Sequence, residues 1–224
     1  MPTRHIKNSP VKVTGTAPDG QEFESFLEED FFVLLRFNPE VSSFDAQPVT
    51  ITWTNAQGVS YPYTPDALIH FASKPDGSRE PSVLCEVKPD LDRDPDRPIA
   101  AVPRTESAED NKLKWEAAAL HAARRGWAWR VFRESDIRTE YLRNAKFLLR
   151  YRERQGSGFG GSAILEALRT NGPTPMGQLM AQLFPDPAAR AQAFPTCYGL
   201  IANRQVRADL ERLLTLSTEL SAAS

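Results

Sequence analysis

Two short motifs hold side chains that could do chemistry: Pro65-Asp66 and Glu86-Val87-Lys88. Side chains alternate between the two faces of a β-strand, so Glu86 and Lys88 project together while Val87 points away. Charged residues at the end of so apolar a strand need partners, and Asp66 on a neighbouring strand could supply one. Two carboxylates suit Mg²⁺, which takes its other ligands from water and a phosphate group. Lys88 could then orient or deprotonate an attacking water and stabilise charge on the phosphate.

A third carboxylate is expected from the helix that precedes these strands. At 100° per residue, Glu24 and Glu28 both fall inside the apolar stripe of this helix, which includes Phe31. A carboxylate on the core face of a helix needs a metal ion or a cationic partner. Helical geometry does not choose between Glu24 and Glu28.

Each of these residues also has an ordinary structural interpretation. Asp66 after a proline is typical of a turn, and Glu86 with Lys88 could form a surface ion pair on an edge strand. Taken separately, the ordinary interpretations are the more common ones. The order of a helix glutamate, then Pro-Asp, then Glu-x-Lys on an apolar strand favours a metal site.

Hydrophobic periodicity predicts the elements that must hold these residues. The predicted elements are a helix over 23–37, strands over 49–53, 63–71 and 82–88 in an antiparallel meander, a helix over 107–125, a strand over 127–132 and a basic helix from 135 or 136 to about 154. Residues 1–20 are expected to form an arm, and the loop over 89–105 is rich in proline and acid. The candidate residues therefore belong to an α/β domain.

The glycine-rich stretch at 156–161 predicts a linker, which divides the chain into domains 1–155 and 156–224. Beyond it we expect three short helices: one over 163–169, one that begins near Pro175, and one that starts at Asp186 and is limited by Pro195. The tail over 205–220 fits either a β-hairpin or another helix. Three helices and a hairpin predict a small winged-helix-like domain.

The formal charge of −2 argues by itself against a nucleic-acid partner, but its distribution does not. Residues 15–50 hold one cation against eight acids, whereas residues 104–154 hold thirteen cations against eight acids. Acids can hold a metal ion, and a basic stretch can hold phosphates. The expected phosphate contacts are Arg124, Arg125, Arg130, Arg133, Arg138, Arg143, Lys146 and Arg150. The ordinary interpretation pairs about half of them with neighbouring glutamates.

The composition also bounds where the protein works. No apolar run approaches ~18 residues, the length that a membrane span needs. The first residues lack the apolar segment of a secretory signal. The two cysteines, Cys85 and Cys197, are too few for a disulfide framework. We therefore expect no membrane span and a cytoplasmic location.

Taken in order, these motifs resemble those of the PD-(D/E)xK nuclease superfamily and, within it, the TnsA-like transposon endonucleases. The segments that carry the resemblance are 25–31, 37–41, Gln47-Pro48, 63–66, 86–88, 112–133 and 144–148. It covers about residues 15–152. The resemblance implies a restriction-endonuclease-like fold of the α/β class, with a mixed sheet flanked by helices. It also selects Glu28, rather than Glu24, as the helix carboxylate beside Asp66, Glu86 and Lys88.

The resemblance implies a DNA endonuclease that depends on Mg²⁺, with Mn²⁺ as a substitute. Asp66 and Glu86 would hold the metal, and Glu28 could hold a second ion. It implies cleavage of the 5′ strands at transposon ends beside a TnsB-like DDE transposase, with a TnsC-like AAA+ ATPase docking on the C-terminal domain. The short chain leaves room for a CRISPR-associated transposon as the context. The alternatives are a stand-alone restriction or repair nuclease of the same superfamily and a non-catalytic DNA-binding assembly subunit.

Overall fold

The protein is described by a computed structural model over residues 15–16, 20, 22–23, 25–90, 108–153 and 158–223. The predicted N-terminal arm and most of the proline-rich loop lie outside these residues, and so does Glu24. The chain divides into two compact units, 1–137 and 138–224.

The first unit contains eight strands and three helices in its described residues. They are β1 (Gly15–Thr16), β2 (Glu22–Phe23), α1 (Phe26–Phe37), β3 (Val41–Ala46), β4 (Ile51–Thr54), β5 (Ser60–Tyr63), β6 (Ala67–Phe71), β7 (Val83–Lys88), α2 (Ala108–Ala123), β8 (Ala128–Arg133) and α3 (Glu134–Ile137). Strands β3, β6, β7 and β8 form one sheet in that order. The first three are antiparallel, whereas β7 and β8 are parallel. This is a mixed α/β architecture of the kind that the sequence predicts, and it is compatible with a restriction-endonuclease-like fold.

Helix α1 packs on one face of this sheet. Its N-cap is Ser25, whose side chain accepts a hydrogen bond from the Glu28 amide, and it ends at Asn38, whose amide donates to the Leu34 carbonyl. The apolar stripe of α1 packs against the side chains that β6 and β7 direct to this face. The buried residues of this cluster include Leu27, Phe31, Phe32, Leu35, Ala67, Ile69, Cys85 and Val87. Each fully buried Leu, Ile, Val or Phe side chain stabilises the fold by about 2 kcal/mol.

Helix α2 packs on the opposite face. Its Ala118 and Ala122 contact Leu68 and Leu84, which alternate with the residues that face α1. The pair β4 and β5 forms a separate antiparallel hairpin and adds Ile51, Trp53 and Tyr63 to the same cluster. Helices therefore cover both faces, and alternate residues of β7 contact different helices.

The structure corrects several predictions for this unit. The predicted strand over 63–71 is two strands, because β5 pairs with β4 and β6 pairs with β3 and β7. The three predicted strands therefore do not form one meander. Strand β3, which the sequence analysis did not predict, completes the antiparallel side of the sheet. The basic helix predicted to run to about 154 is divided into α3 and a second helix, α4 (Glu140–Leu149).

The second unit begins with α4 and continues through three more helices and three short strands. These are α5 (Gly161–Asn171), β9 (Thr174–Pro175), α6 (Met176–Leu183), α7 (Pro187–Ala202), β10 (Val206–Ala208) and β11 (Glu219–Ala222). The strands form an antiparallel sheet in the order β10, β11, β9. The tail is thus the predicted hairpin rather than a helix. The domain boundary predicted at residue 155 stays a prediction, although α4 packs with α7 in this unit.

Helix α7 runs through Pro195, which the sequence analysis placed at its end. A proline inside a helix has no amide proton, so the carbonyl four residues earlier lacks its helical hydrogen bond. That residue is Ala191, which lies on the exposed side of the helix. Water can replace the missing bond there, so the apolar residues after Pro195 continue the helix into the core.

No helix in the described ranges combines the length and apolar character that a membrane crossing requires.

We expect Asn144→Ala to destabilise the second unit by about 3 kcal/mol, since it removes the three hydrogen bonds of a buried side chain. The Asn144 amide nitrogen donates to the carbonyls of Leu210 and Arg212 at 2.8 and 2.7 Å, and its oxygen accepts from the Leu214 amide at 2.9 Å. Hydrogen–deuterium exchange over residues 210–218 should rise strongly. The neighbouring Arg143→Ala removes only an exposed pair with Glu140 and should leave this exchange unchanged. Equal exchange in the two variants would contradict the prediction.

Candidate functional site

Asp66 lies in the short connection between β5 and β6, and three backbone hydrogen bonds fix it there. Its amide donates to the Cys85 carbonyl at 3.0 Å, and its own carbonyl accepts from the Gln47 amide at 2.9 Å. Its Oδ2 accepts from the Val87 amide at 2.6 Å. Since Cys85 and Val87 are the neighbours of Glu86, these bonds place Asp66 beside Glu86.

Glu86 lies near the end of β7 and is only 3% exposed. Its Oε1 is 2.7 Å from the Lys88 Nζ, as the alternation of β7 predicts. Its Oε2 accepts a hydrogen bond from the Tyr63 hydroxyl at 2.5 Å. The Lys88 side chain is 31% exposed, so its ammonium can reach both the buried carboxylate and a ligand from solvent.

Glu28 lies in the first turn of α1, where Ser25 orients it. The Ser25 hydroxyl donates to Glu28 Oε1 at 2.9 Å and accepts from the Glu28 amide at 3.2 Å. The negative charge of Glu28 acts on Asp66 strongly enough to contribute to its raised pKa. The structure therefore brings Asp66, Glu86 and Lys88 together, with Glu28 near enough for its charge to act on Asp66.

The electrostatics of this site are unfavourable for the charged form of Asp66. Burial, then the charge of Glu86, then the charge of Glu28 raise the pKa of Asp66 well above its ordinary value of 3.8. The Val87 amide and the Lys88 ammonium act in the opposite direction but do not outweigh them. A divalent cation would stabilise the charged form of such a cluster.

The donor set fits Mg²⁺ in its chemistry. In the described ranges, no group of three or more His, Cys, Asp or Glu side chains is arranged to hold a metal. Mg²⁺ does not need such a group, because it keeps several waters and binds through one or two carboxylates plus substrate phosphate. Asp66 and Glu86 can supply those two carboxylates, and a second ion at Glu28 stays a prediction.

Two further residues of this region were not selected by the sequence analysis. Tyr63 lies in the 63–66 segment that contributes to the family resemblance, but the sequence does not predict a partner for its hydroxyl. Lys114 is only 3% exposed, and its Nζ lies 4.9 Å from the centroid of the Tyr63 ring. The spacing of Lys114 with Ala118 and Ala122, four and eight residues later, could have placed it on the buried face of α2.

The eight predicted phosphate contacts are divided between the two units. In the first unit, Arg124 and Arg125 are exposed at the end of α2, and Arg130 and Arg133 are exposed on β8. Arg133 is the register partner of Lys88, and its guanidinium lies 5.6 Å from the Trp115 ring centroid. In the second unit, four predicted contacts are exposed: Arg138, Arg143, Lys146 and Arg150. Arg143 pairs with Glu140 at 3.0 Å, as the ordinary interpretation expects. Arg133 is thus the predicted contact that the strand register places nearest to the cluster.

Comparison with known proteins finds one family match, which lies within the first unit. Residues 38–134 match the sequence model of the family described as TnsA-like endonuclease N terminal. The matched residues include Asp66, Glu86 and Lys88, whereas Glu28 precedes them. A search of curated proteins finds no match to the chain. The resemblance read from the sequence motifs is confirmed over these residues.

We expect Asp66→Asn to raise the melting temperature of the metal-free chain at about pH 8 and to leave it unchanged near pH 4. With its raised pKa, the folded Asp66 keeps a proton that the unfolded chain releases. The free energy of unfolding therefore falls as pH rises from the ordinary pKa towards the raised one. Asparagine retains an oxygen acceptor for the Val87 amide but carries no charge. Tryptophan fluorescence during thermal unfolding in a chelator measures the effect, because all four tryptophans lie in the first unit.

The control for this measurement is Asp76→Asn. Hydrogen bonds from the Ser78 hydroxyl and amide lower the pKa of Asp76, so its charge stabilises the fold above pH 4 and its loss acts in the opposite direction. A fall in melting temperature for both variants at about pH 8 would show that the Asp66 carboxylate is not destabilised in the folded chain.

Proposed function

We propose that this chain, whose residues 38–134 match the TnsA-like endonuclease N-terminal domain, is a metal-dependent DNA endonuclease of transposition. In this proposal it cleaves the 5′ strands at transposon ends. The observation that carries the proposal is the assembly of Asp66, Glu86 and Lys88 within the matched residues. The family description supports a nuclease related to transposition, and the carboxylate cluster supports the metal dependence.

The proposed cofactor is Mg²⁺, or Mn²⁺ in its place, held by Asp66 and Glu86. When bound, such an ion makes water a stronger nucleophile and neutralises charge on a phosphodiester. Asp66 presents its carboxylate in one orientation, because the Val87 amide fixes Oδ2 at 2.6 Å. Lys88 is partly exposed and donates from 2.7 Å to Glu86, so it can hold a water or a phosphate oxygen at the mouth of the site.

Exposed cations next to the site support DNA as the substrate. Arg133 lies across from Lys88 on the parallel strand β8, and its side chain is exposed despite its contact with Trp115. Guanidinium groups bind phosphate oxygens in a bidentate manner without reading sequence. Arg124, Arg125 and Arg130 would extend this contact along the first unit.

The second unit is proposed to be a winged-helix-like docking domain. Its order of helix, strand, two helices and two strands supports this assignment, as does the antiparallel order of β10, β11 and β9. Its described helix α7 has Arg190 as its one charged residue after Asp186, which suits a protein partner better than a phosphate backbone. We propose a TnsC-like AAA+ ATPase as that partner and a TnsB-like transposase as the enzyme that cuts the 3′ strands. The free thiols of Cys85 and Cys197 support a reducing, cytoplasmic setting.

Asp66→Ala should abolish cleavage of the 5′ strands in a reconstituted excision reaction with transposon-end DNA, both proposed partners and Mg²⁺. The loss should exceed about 100-fold, since even changes to groups that support metal ligands cost 10–100-fold. Strand-specific end labels separate 5′ from 3′ cleavage, and 3′ cleavage should persist.

The matched control is Asp76→Ala, which changes an exposed aspartate in a turn of the same unit and should retain both cuts. Persistent 5′ cleavage by the Asp66 variant would refute the assigned site. Vigorous nicking of random plasmid DNA by the chain alone would instead indicate a stand-alone nuclease.

Arg133→Ala should weaken binding of transposon-end DNA by about three- to tenfold, consistent with the loss of one or two charge-assisted hydrogen bonds to phosphate. The dependence of binding on salt should become shallower by about one unit of slope. Fluorescence anisotropy with Ca²⁺, which avoids cleavage, measures both quantities. Arg79→Ala provides a control in the same unit, because Arg79 lies beside Ser73 in the 73–79 turn and is absent from the predicted contacts. Equal affinities for the two variants would remove Arg133 from the interface.

A further inference from the structure

Glu86 is held by donors on both of its carboxylate oxygens. Lys88 Nζ lies 2.7 Å from Oε1, and the Tyr63 hydroxyl lies 2.5 Å from Oε2. Lys88 comes from the same strand, whereas Tyr63 comes from the end of β5 in the separate hairpin. The rotation of this carboxylate about its last bond is therefore fixed by two different elements of the fold.

The Tyr63 hydroxyl is a donor throughout the neutral range. A tyrosine hydroxyl ordinarily carries its proton in this range and can donate it to a carboxylate. Glu86 in its charged form has no proton to give, so the hydrogen bond runs from the tyrosine to the carboxylate. A hydrogen bond from a hydroxyl to a carboxylate is charge-assisted, and it holds the accepting oxygen in a fixed direction.

The ring of Tyr63 is positioned by contacts from three elements. Its backbone pairs with Ile51 of β4. Trp129 of β8 meets the ring edge-on at a centroid distance of 6.5 Å. The ammonium of Lys114 on α2 lies 4.9 Å from the ring centroid and is buried. Such a ring cannot turn its hydroxyl away from Glu86 without disturbing the core, so this contact is a built feature.

We propose that Tyr63 is a positioning residue that orients Glu86 for the metal ion, a role that rests on the function proposed above. Each carboxylate oxygen has two acceptor sites, so Oε2 can accept from Tyr63 and still present an electron pair to a cation. Residues that hydrogen-bond a metal ligand in this manner set its orientation and typically change metal affinity or activity by 10–100-fold when removed. The hairpin of β4 and β5 is thereby a functional part of the site.

The test is Tyr63→Phe, which removes only the hydroxyl. Titration of the full chain with Mn²⁺, without DNA and followed by electron paramagnetic resonance, should give a dissociation constant raised about tenfold. In the cleavage reaction, the Mg²⁺ concentration for half-maximal rate should rise by a similar factor, while KM for DNA stays constant. Tyr61→Phe is the matched control on the same strand, because Tyr61 is 43% exposed and its ring contacts Trp53. It should match the unchanged chain in both assays.

A double-mutant cycle with Glu86→Ala separates positioning from a general effect on the fold. If Tyr63 acts through Glu86, then Tyr63→Phe has no further effect on Mn²⁺ affinity in the Glu86→Ala chain. Equal tenfold losses in both backgrounds would overturn the positioning role. The role would also be overturned if the unchanged chain cleaves DNA and the Tyr63→Phe variant binds Mn²⁺ with the same affinity as the unchanged chain. A chain that neither binds Mn²⁺ nor cleaves DNA before any substitution would overturn the proposed function itself, and the positioning role with it.

Discussion

The geometry of the candidate site depends on the hydrogen bonds that join Asp66 to strand β7. The Asp66 amide bonds to Cys85 and its carboxylate bonds to the Val87 amide, so the bonds flank Glu86 on both sides. Asp66 cannot move relative to Glu86 without breaking them. On its other side, Gln47 donates its amide to the Asp66 carbonyl and adopts a φ of 48°, a left-handed conformation that costs a non-glycine residue about 1 kcal/mol. The fold thus accepts backbone strain at Gln47 where it fixes Asp66.

The apolar neighbours of the cluster offset its unfavourable electrostatics. The charges of Glu86 and Glu28 destabilise the ionised form of Asp66, as its raised pKa indicates, and the partly exposed Lys88 offsets this only in part. Along β7, however, Cys85 and Val87 contact the α1 side of the sheet and Leu84 contacts the α2 side. Alternation then fixes the direction of Glu86, because a shift of register by one residue would turn Glu86 and Lys88 towards the apolar side chains on the α1 side. Burial on both faces offsets the electrostatic cost, which is the pattern expected where function overrides local stability.

The sequence could predict the placement of the candidate site residues better than the elements around them. The spacing of Asp66 and Glu86 predicts neighbouring strands, and the two-residue spacing of Glu86 and Lys88 predicts a shared face of one strand. Both predictions depend only on local geometry. The separation of β5 from β6 depends on which strands pair. The residue types from Tyr63 to Phe71 do not specify the partner strands. Pro65 nonetheless indicates a break between two strands, because a proline has no amide proton to donate to a neighbouring strand. Tyr63 and Lys114 were missed for the same reason: their roles come from contacts between elements distant in the chain. At Pro195, tertiary packing of the following residues outweighed a local rule.

The formal charge of −2 does not oppose a polyanionic substrate, because buried and exposed charges act differently on it. Glu86 is buried and Asp66 is partly buried, and burial together with the neighbouring carboxylates raises the pKa of Asp66. A bound divalent cation would reduce the negative charge of the cluster further. Arg124, Arg125, Arg130 and Arg133, by contrast, are exposed cations. The screening length of physiological salt is ~8 Å, so a phosphate within a few ångströms of this surface interacts with these cations. It therefore experiences more positive charge than the net charge of the sequence implies.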